Sequence, residues 1–308
     1  MMQIEAFVWQ KFPKNPVLDV VEGTWEEGIV GDPWVLVEDG VFKMWYYACG
    51  QGKCQTGLAV SPDGVRWERH PSNPVIRAES DFDRRCASKV AVVKRGDIYH
   101  AWYGADDGKE RTITYATSRD GINWEKHGVV LRPEMDFEGK FLDCPSALWD
   151  EERKVWRMWY SAGQVIPGEP HVICYAESRD GRNWRKHPGN PILVPSGDGS
   201  WFGKALGGSQ VLKVEGGYLM FLNAFDERGI SRAGYATSPD GLRWSISPSP
   251  LIDLGKKGEF DDAMVFRPHG VFVKGVWMIW YNGKSSEDGK ERIGLIKGVL
   301  KREGEKDA

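Results

Sequence analysis

A chain of 308 residues with 41% apolar residues is long enough for one large domain or two ordinary ones, and it can bury a sizeable core. A net charge of −3 excludes the broad basic surface that nucleic-acid backbones require. No run approaches the roughly 18 apolar residues of a spanning helix, and MMQIEAFVWQ lacks the basic and apolar regions of a secretion signal, so a cytoplasmic protein without membrane contact is expected.

The chain opens on WQKFPKNPVL from Trp9, a segment whose place becomes clear only further along. From Asp32 the order is DPWVLV, MWYYA and TGLAV, then SPDGVRW from Ser61 and WERHPSNPVI from Trp67. The same order returns as SKVAVV, HAWYGA and TITYAT before SRDGINW from Ser118, and as PSALW, RMWYSA and VICYAE before SRDGRNW from Ser178 and WRKHPGNPIL from Trp184. A fourth pass runs SQVLKV, MFLNA, AGYAT and SPDGLRW from Ser238, and a fifth runs DAMVF, MIWYNG and RIGLIKG. The heptapeptides lie 57, 60 and 60 residues apart. Each joins two β-prone runs, and Asp-Gly is the dipeptide that a tight hairpin turn prefers.

A unit of four antiparallel strands with hardly any helix is the blade of a propeller. The fifth unit, from about Phe260 to Gly298, has no Asp-Gly turn and no fourth strand, whereas WQKFPKNPVL matches the fourth-strand segments from Trp67 and Trp184. The expected fold is therefore all-β: one five-bladed β-propeller domain over residues 1–308, closed by the N-terminal strand joining the last blade. Such a closure protects the edge of the last sheet.

The repeats account for many residues that look functional. His70, His127 and His187 all follow the turn tryptophan by three residues, and nine of the fifteen tryptophans occupy repeat positions. The turn aspartates Asp63, Asp120, Asp180 and Asp240 are expected to bond their own loops. Five cysteines, an odd count without a secretion signal, read as reduced thiols. CGQGKC lacks the second Cys or His pair that would complete a zinc site. No metal or cofactor is expected.

In a propeller the first strand of each blade lines the central channel, so polar residues that break the repeat at strand-one starts are the functional candidates. Alignment on the second-strand aromatics puts Asp32, Ser88, Cys144 (with Asp143 before it), Gly208 and Asp262 at this level. Carboxylates converging from different blades on a narrow, partly dry channel acquire separated pKa values, which suits acid and base work at a glycosidic bond. Asp32, Asp143 and Asp262 are the catalytic candidates; the other reading is that they cap strand ends or hold a structural ion or water. Trp34 is placed for stacking on a sugar face or for core packing. Arg84, Arg85 and Lys204 break an acidic lead-in pattern and would bind sugar hydroxyls, a carboxylate or a phosphate, or neutralise the acids. Trp25, Phe82, Phe137, Phe202 and Phe260 are expected to pack. The loops ADDGKER, AFDERGISR and GKSSEDGKER are either solvated turns or a charged rim.

With this architecture the chain resembles the five-bladed glycosidase superfamily that includes glycoside hydrolase families 32, 43, 62 and 68 and the related mannoside phosphorylases of family 130. GDPWVLVEDGVFKMWYYA from Gly31 is similar to the first-blade Asp-Pro segment of families 43 and 32, which implies Asp32 as base or nucleophile. DCPSALW from Asp143 is similar to the third-blade acid segment of family 32 and equally to the third-blade segment of family 43, which implies an acid in the first case and a group that tunes the acid in the second. The second-blade Asp of family 32 falls near Ala87, Ser88 and Lys89, and the fourth-blade Glu of family 43 near Gly207, Gly208 and Ser209, so both are missing. Asp262 or Asp83 then stands as a replacement, with Asp83 and Ser88 among the substrate-binding candidates. The resemblance implies a glycoside hydrolase-like enzyme acting on a small oligosaccharide or glycoside. The alternatives are a glycoside phosphorylase, with Arg84, Arg85 or Lys204 at the phosphate, and a non-catalytic carbohydrate-binding propeller.

Overall fold

The structure, a computed structural model, describes residues 4–301. Two short 3-10 turns, Ile4–Ala6 and Asp136–Glu138, are the only helical elements among them. The first strand, β1 (Phe7–Lys11), pairs far away at the other end of the chain. Antiparallel meanders follow. The first contains β2 (Ile29–Glu38), β3 (Val41–Gly50), β4 (Lys53–Ser61) and β5 (Glu68–Arg69). The second contains β6 (Cys86–Arg95), β7 (Ile98–Asp106), β8 (Arg111–Ser118) and β9 (Glu125–Leu131). Next come β10 (Leu142–Asp150), β11 (Val155–Ala162), β12 (Val172–Ser178) and β13 (Trp184–Lys186). The fourth meander is β14 (Ala205–Val214), β15 (Gly217–Phe225), β16 (Ser231–Ser238) and β17 (Ser245–Ile246). The last is β18 (Met264–Val273), β19 (Val276–Lys284) and β20 (Glu291–Leu300), and its fourth place is filled by β1, with Phe7 opposite Leu300 and Lys11 opposite Ile296.

The leading strands touch in sequence: β2 meets β6, β6 meets β10, β10 meets β14, β14 meets β18, and β18 returns to β2. Side-chain bonds between meanders follow the same circuit. The indole N–H of Trp45 donates to the carbonyl of Gly121, that of Trp102 to Gly181, that of Trp159 to Gly241, and that of Trp280 to Gly64. Each tryptophan thus reaches the Asp-Gly turn of the next meander, and Trp280 carries the circuit from the last meander to the first. All four are fully buried, so each N–H must find an acceptor, and the turn glycine supplies one. Phe221 stands at this position in the fourth meander, and the fifth has no such turn to receive an indole. The turn aspartates bond their own loops as expected; Asp63, for example, accepts the backbone N–H of Val65 and Arg66.

A second repeated device explains why an acid follows the lead-in aromatic. Glu26, Asp83, Glu138 and Asp261 are each buried. Each accepts a hydrogen bond from a second-strand tyrosine, respectively Tyr46, Tyr103, Tyr160 and Tyr281. A fourth-strand cation completes each set: Arg69, Lys126, Lys186 and Lys11. A carboxylate taken out of water in this way is tolerated only when it is paired and hydrogen-bonded. Lys11 does from the N-terminal strand what the other three cations do from their own meanders. Asn15 likewise bonds both backbone groups of Leu295, as Asn73 does with Leu58 and Asn190 with Tyr175. The fourth meander has Gly203 instead of the acid, and the indole of Trp201 lies there against Gly234, donating to the carbonyl of Ser247.

The expectation of five reduced thiols is corrected: Cys49 and Cys54 form a disulfide, while Cys86, Cys144 and Cys174 are free and buried. The pairing follows from the β3–β4 hairpin, whose register sets Cys49 directly opposite Cys54 with Cα atoms 4.2 Å apart.

Candidate active site

Each leading strand carries one irregularity at the same level. The register with the second strand breaks between Gly31 and Trp34, Ser88 and Ala91, Asp143 and Ser146, Gly207 and Ser209, and Phe266 and His269. The bulged residues are Asp32, Lys89, Cys144, Gly208 and Arg267, with φ of +45°, +58°, +49°, +29° and +43°. A left-handed backbone costs a non-glycine residue about 1–2 kcal/mol, so four such residues at one level mark a place where side-chain direction matters more than local stability. Proline follows in three of the bulges, at Pro33, Pro145 and Pro268, where the broken ladder no longer needs its missing N–H.

The bulged residues line a narrow cavity of about 40 Å³. That space is large enough for water but too small for a sugar ring, which places the room for a larger ligand above it, at the mouth. Below, Trp34 donates its indole N–H to the carbonyl of Val92 at 2.7 Å and packs on His269 with ring centroids 4.6 Å apart. Burial pushes His269 down to about 3, so it stays neutral.

The charged groups at the mouth form one network. Asp32 Oδ2 lies 2.5 Å from Arg267 Nη1, and Arg267 Nη2 lies 3.4 Å from Glu169 Oε2. Asp143 Oδ2 lies 2.9 Å from Lys89 Nζ and 3.1 Å from Arg111 Nε. Glu291 accepts from Asn282 Nδ2 at 2.8 Å, and the carbonyl oxygen of the same amide receives the backbone N–H of Asp32 at 3.4 Å. The carboxyls are pushed apart: burial moves Asp32 upward against the pull of Arg267 and Lys89, whereas Arg111, Lys89 and Arg267 overcome burial at Asp143 and hold it down at about 2. Burial moves Cys144 up to about 12, so its thiol is no nucleophile at neutral pH.

Of the residues singled out from sequence, Asp32, Asp143, Cys144 and Gly208 meet at this level. Ser88 is one position early; it is buried against Cys86, and Lys89 is the bulged residue. Asp262 is not with them. It lies in the loop before β18, where its carboxylate accepts from the backbone N–H of Gly258 and Ser286 and from the Ser286 hydroxyl, and the fifth bulge belongs to Arg267. Asp83 is committed to Tyr103 and Lys126. Arg84 is exposed and donates to the carbonyl of Asp107, Arg85 is exposed, and Lys204 Nζ donates to the carbonyl of Glu227 at 3.4 Å. Trp34 forms the floor below the mouth.

Lys89, Arg111, Arg267, Glu169 and Glu291 were not anticipated. The clearest overlooked signal is FRPH at Phe266–His269, which repeats the X-Pro pattern of GDPW and DCPS. Two of the five come from the charged loops. Arg111 and Glu291 each stand two residues before the third-strand residue, Ile113 or Ile293, that faces the second-strand partner of a bulge.

Glycines make room for this network. A Cβ on Gly208 would stand 2.3 Å from Arg267 Cγ, and one on Gly104 would stand 2.1 Å from Asp143 Oδ1. Gly208→Ala is therefore expected to separate Arg267 from Asp32, visible in a crystal structure of the variant, and to lower stability by about 1–2 kcal/mol through its positive φ.

Comparison with known proteins agrees with a carbohydrate-active chain. A 1,2-beta-oligomannan phosphorylase of Thermoanaerobacter sp. (strain X514) is 28% identical over 239 residues, 73% of this chain and 74% of that protein. A glycosyl hydrolase from Bacteroides ovatus superposes with a TM-score of 0.76 at 18% identity, covering 96% of this chain and 95% of that one. The beta-1,2-mannobiose phosphorylase of Listeria innocua, solved with beta-1,2-mannobiose, gives a TM-score of 0.75 at 14% identity, covering 95% and 97%. These two likenesses are of fold. The Asp-Pro bulge at Asp32, the Asp143 segment and the buried acids from Glu26 to Glu138 all lie within residues 26–191, and over that stretch the chain belongs to the family described as the glycosyl hydrolases family 32 N-terminal domain.

Proposed function

We propose that this protein is a glycoside phosphorylase: a closed five-bladed propeller, each meander one blade, that splits a glycosidic bond with inorganic phosphate at the mouth of its channel. The observation that carries the reading is the gathering of Lys89, Arg111 and Arg267, three cations from two meanders, around Asp32 and Asp143. Cations held against acids at the rim of a channel too narrow for a sugar ring suit an oxyanion nucleophile beside a sugar. Arg111 and Arg267 offer planar donor sets that match phosphate, and Lys89 adds a point charge. The relative from Thermoanaerobacter, a 1,2-beta-oligomannan phosphorylase by name, makes β-1,2-linked manno-oligosaccharides the first substrates to try.

In this reading Asp143 stays ionised and holds Lys89 and Arg111 in place, and Asp32 sets Arg267. Hydrolysis is the second reading, favoured by the fact that Asp32 and Asp143 already occupy the three cations. One experiment separates them. Incubation of short β-1,2-mannosides with and without phosphate is expected to give a sugar 1-phosphate in phosphate and no cleavage without it. Free sugar in both conditions supports hydrolysis, and no cleavage of these or of a wider set of aryl glycosides and oligosaccharides removes the enzymatic reading.

A further inference from the structure

Four carboxylates stand at the mouth, and three are taken by cations: Asp32 by Arg267, Glu169 by the same arginine, and Asp143 by Lys89 and Arg111. Glu291 makes no ion pair among the described residues. The Asn282 amide donates one hydrogen bond to it at 2.8 Å and leaves the carboxyl free to carry a proton. Asn282 also ties Glu291 to the bulge, because its carbonyl oxygen receives the backbone N–H of Asp32 and its side chain fills the space beside Gly31. Glu291 is partly exposed at the very start of β20, at the same level of the third strand as Arg111 in its own meander.

From this placement we infer that Glu291 is the catalytic acid that protonates the departing glycosidic oxygen, an inference that rests on the phosphorolytic reading above. Phosphorolysis needs a single proton. A phosphate oxygen forms a bond to the anomeric carbon while the bond from that carbon to the glycosidic oxygen breaks; the departing oxygen keeps the electron pair and takes the proton of Glu291. The carboxylate left behind regains a proton from solvent.

The surroundings keep that proton in place near neutrality. Burial, then the charges of Glu169 and Asp32, push Glu291 up to about 7, against the weaker pull of Lys284 and Arg267. Tyr47 of β3 also faces this group and is itself held neutral, chiefly by burial. No other acid of the site offers this combination, since Asp143 is held down by two cations and Asp32 has a guanidinium on its oxygen. An acid with its pKa near the working pH is the efficient proton donor.

The test compares Glu291→Gln with wild type on two glycosides of one sugar, both in phosphate: an unactivated disaccharide and a 2,4-dinitrophenyl glycoside whose leaving group needs no proton. With the disaccharide the variant is expected to lose about 100-fold or more in kcat, and with the dinitrophenyl glycoside less than about tenfold. The fall of wild-type kcat/KM above about pH 7 should be absent from the variant, and disaccharide Kd should stay within about twofold. Glu291→Asp, which keeps the acid on a shorter stem, should recover part of the loss and guards against a folding defect. Equal losses on both glycosides, or a basic limb that persists in Glu291→Gln, overturn the assignment while leaving phosphorolysis intact. A wild-type protein that cleaves neither glycoside overturns the functional reading and the assignment with it.

Discussion

Asp143→Ala is expected to reduce turnover below about a thousandth of wild type and to cost about 3–5 kcal/mol of stability, the range for breaking a buried ion pair from one side. Both effects have one cause. Asp143 is fully buried and pairs with both Lys89 and Arg111, whose side chains are only 7% and 14% exposed. Without it two cations face each other in a poorly hydrated place, and each must turn toward solvent or lose its proton. Asp143→Asn keeps the shape beside Gly104 but removes the charge, so it should show a comparable loss of turnover with a smaller loss of stability. Steady-state kinetics and denaturant unfolding of the two variants check both parts.

The same pairing sets a pH window. Asp143 titrates at about 2 when folded, below the ordinary 3.8 of an aspartate. Below both values the folded and unfolded chains each hold the proton and the carboxylate contributes nothing. Between them the unfolded chain binds the proton and the folded chain does not, so stability rises with pH. The contribution, about 2 kcal/mol, is complete above roughly pH 4 and is lost as pH falls through about 2. Unfolding of Asp143→Asn in the same buffers should lack this part of the slope.

How much could be read from sequence depends on the kind of signal each residue leaves. The heptapeptide turns and the match of WQKFPKNPVL to later fourth strands leave strong ones, because they repeat. Lys11 and Asn15 make the contacts of their counterparts 58 or more residues along the chain. Alignment on the second-strand aromatics reaches Asp32, Cys144 and Gly208 at their bulges, and a proline follows the first two. Arg267 has the same mark in FRPH, but counting back from an aromatic through a strand with an inserted residue leaves the level uncertain by several positions. That slip put Ser88 in place of Lys89 and Asp262 in place of Arg267.

Other residues were hidden for a different reason. The tetrapeptide GKER occurs in two second-to-third-strand loops, and the mouth position falls on Arg111 in one and on Glu291 in the other. A one-residue change of register reverses the charge presented, which a pattern of charges along the chain cannot express. Asp83 misled in the opposite way. Its type and position suit catalysis, yet its lead-in aromatic and acid recur three more times, and the recurrence is the mark of a structural group.

Those recurring acids support the last prediction, which concerns the fold alone. Lys186→Met should destabilise by about 3–5 kcal/mol, because it leaves the Glu138 carboxylate, fully buried, without the ammonium 2.7 Å away. Two backbone N–H groups, from Glu134 and Met135, and the Tyr160 hydroxyl would still bond that carboxylate, so the loss isolates the missing charge rather than the loss of every partner. Adding Glu138→Gln removes the stranded charge and keeps an oxygen acceptor for the backbone N–H groups of Glu134 and Met135, while its NH2 can donate to the Tyr160 hydroxyl, so the double variant should recover more than half of the loss. A double-mutant cycle by denaturant unfolding measures the coupling. If the double variant is instead as unstable as the sum of the singles, the acid contributes through its shape and backbone bonds, and the cation serves another purpose at the outer edge of the sheet.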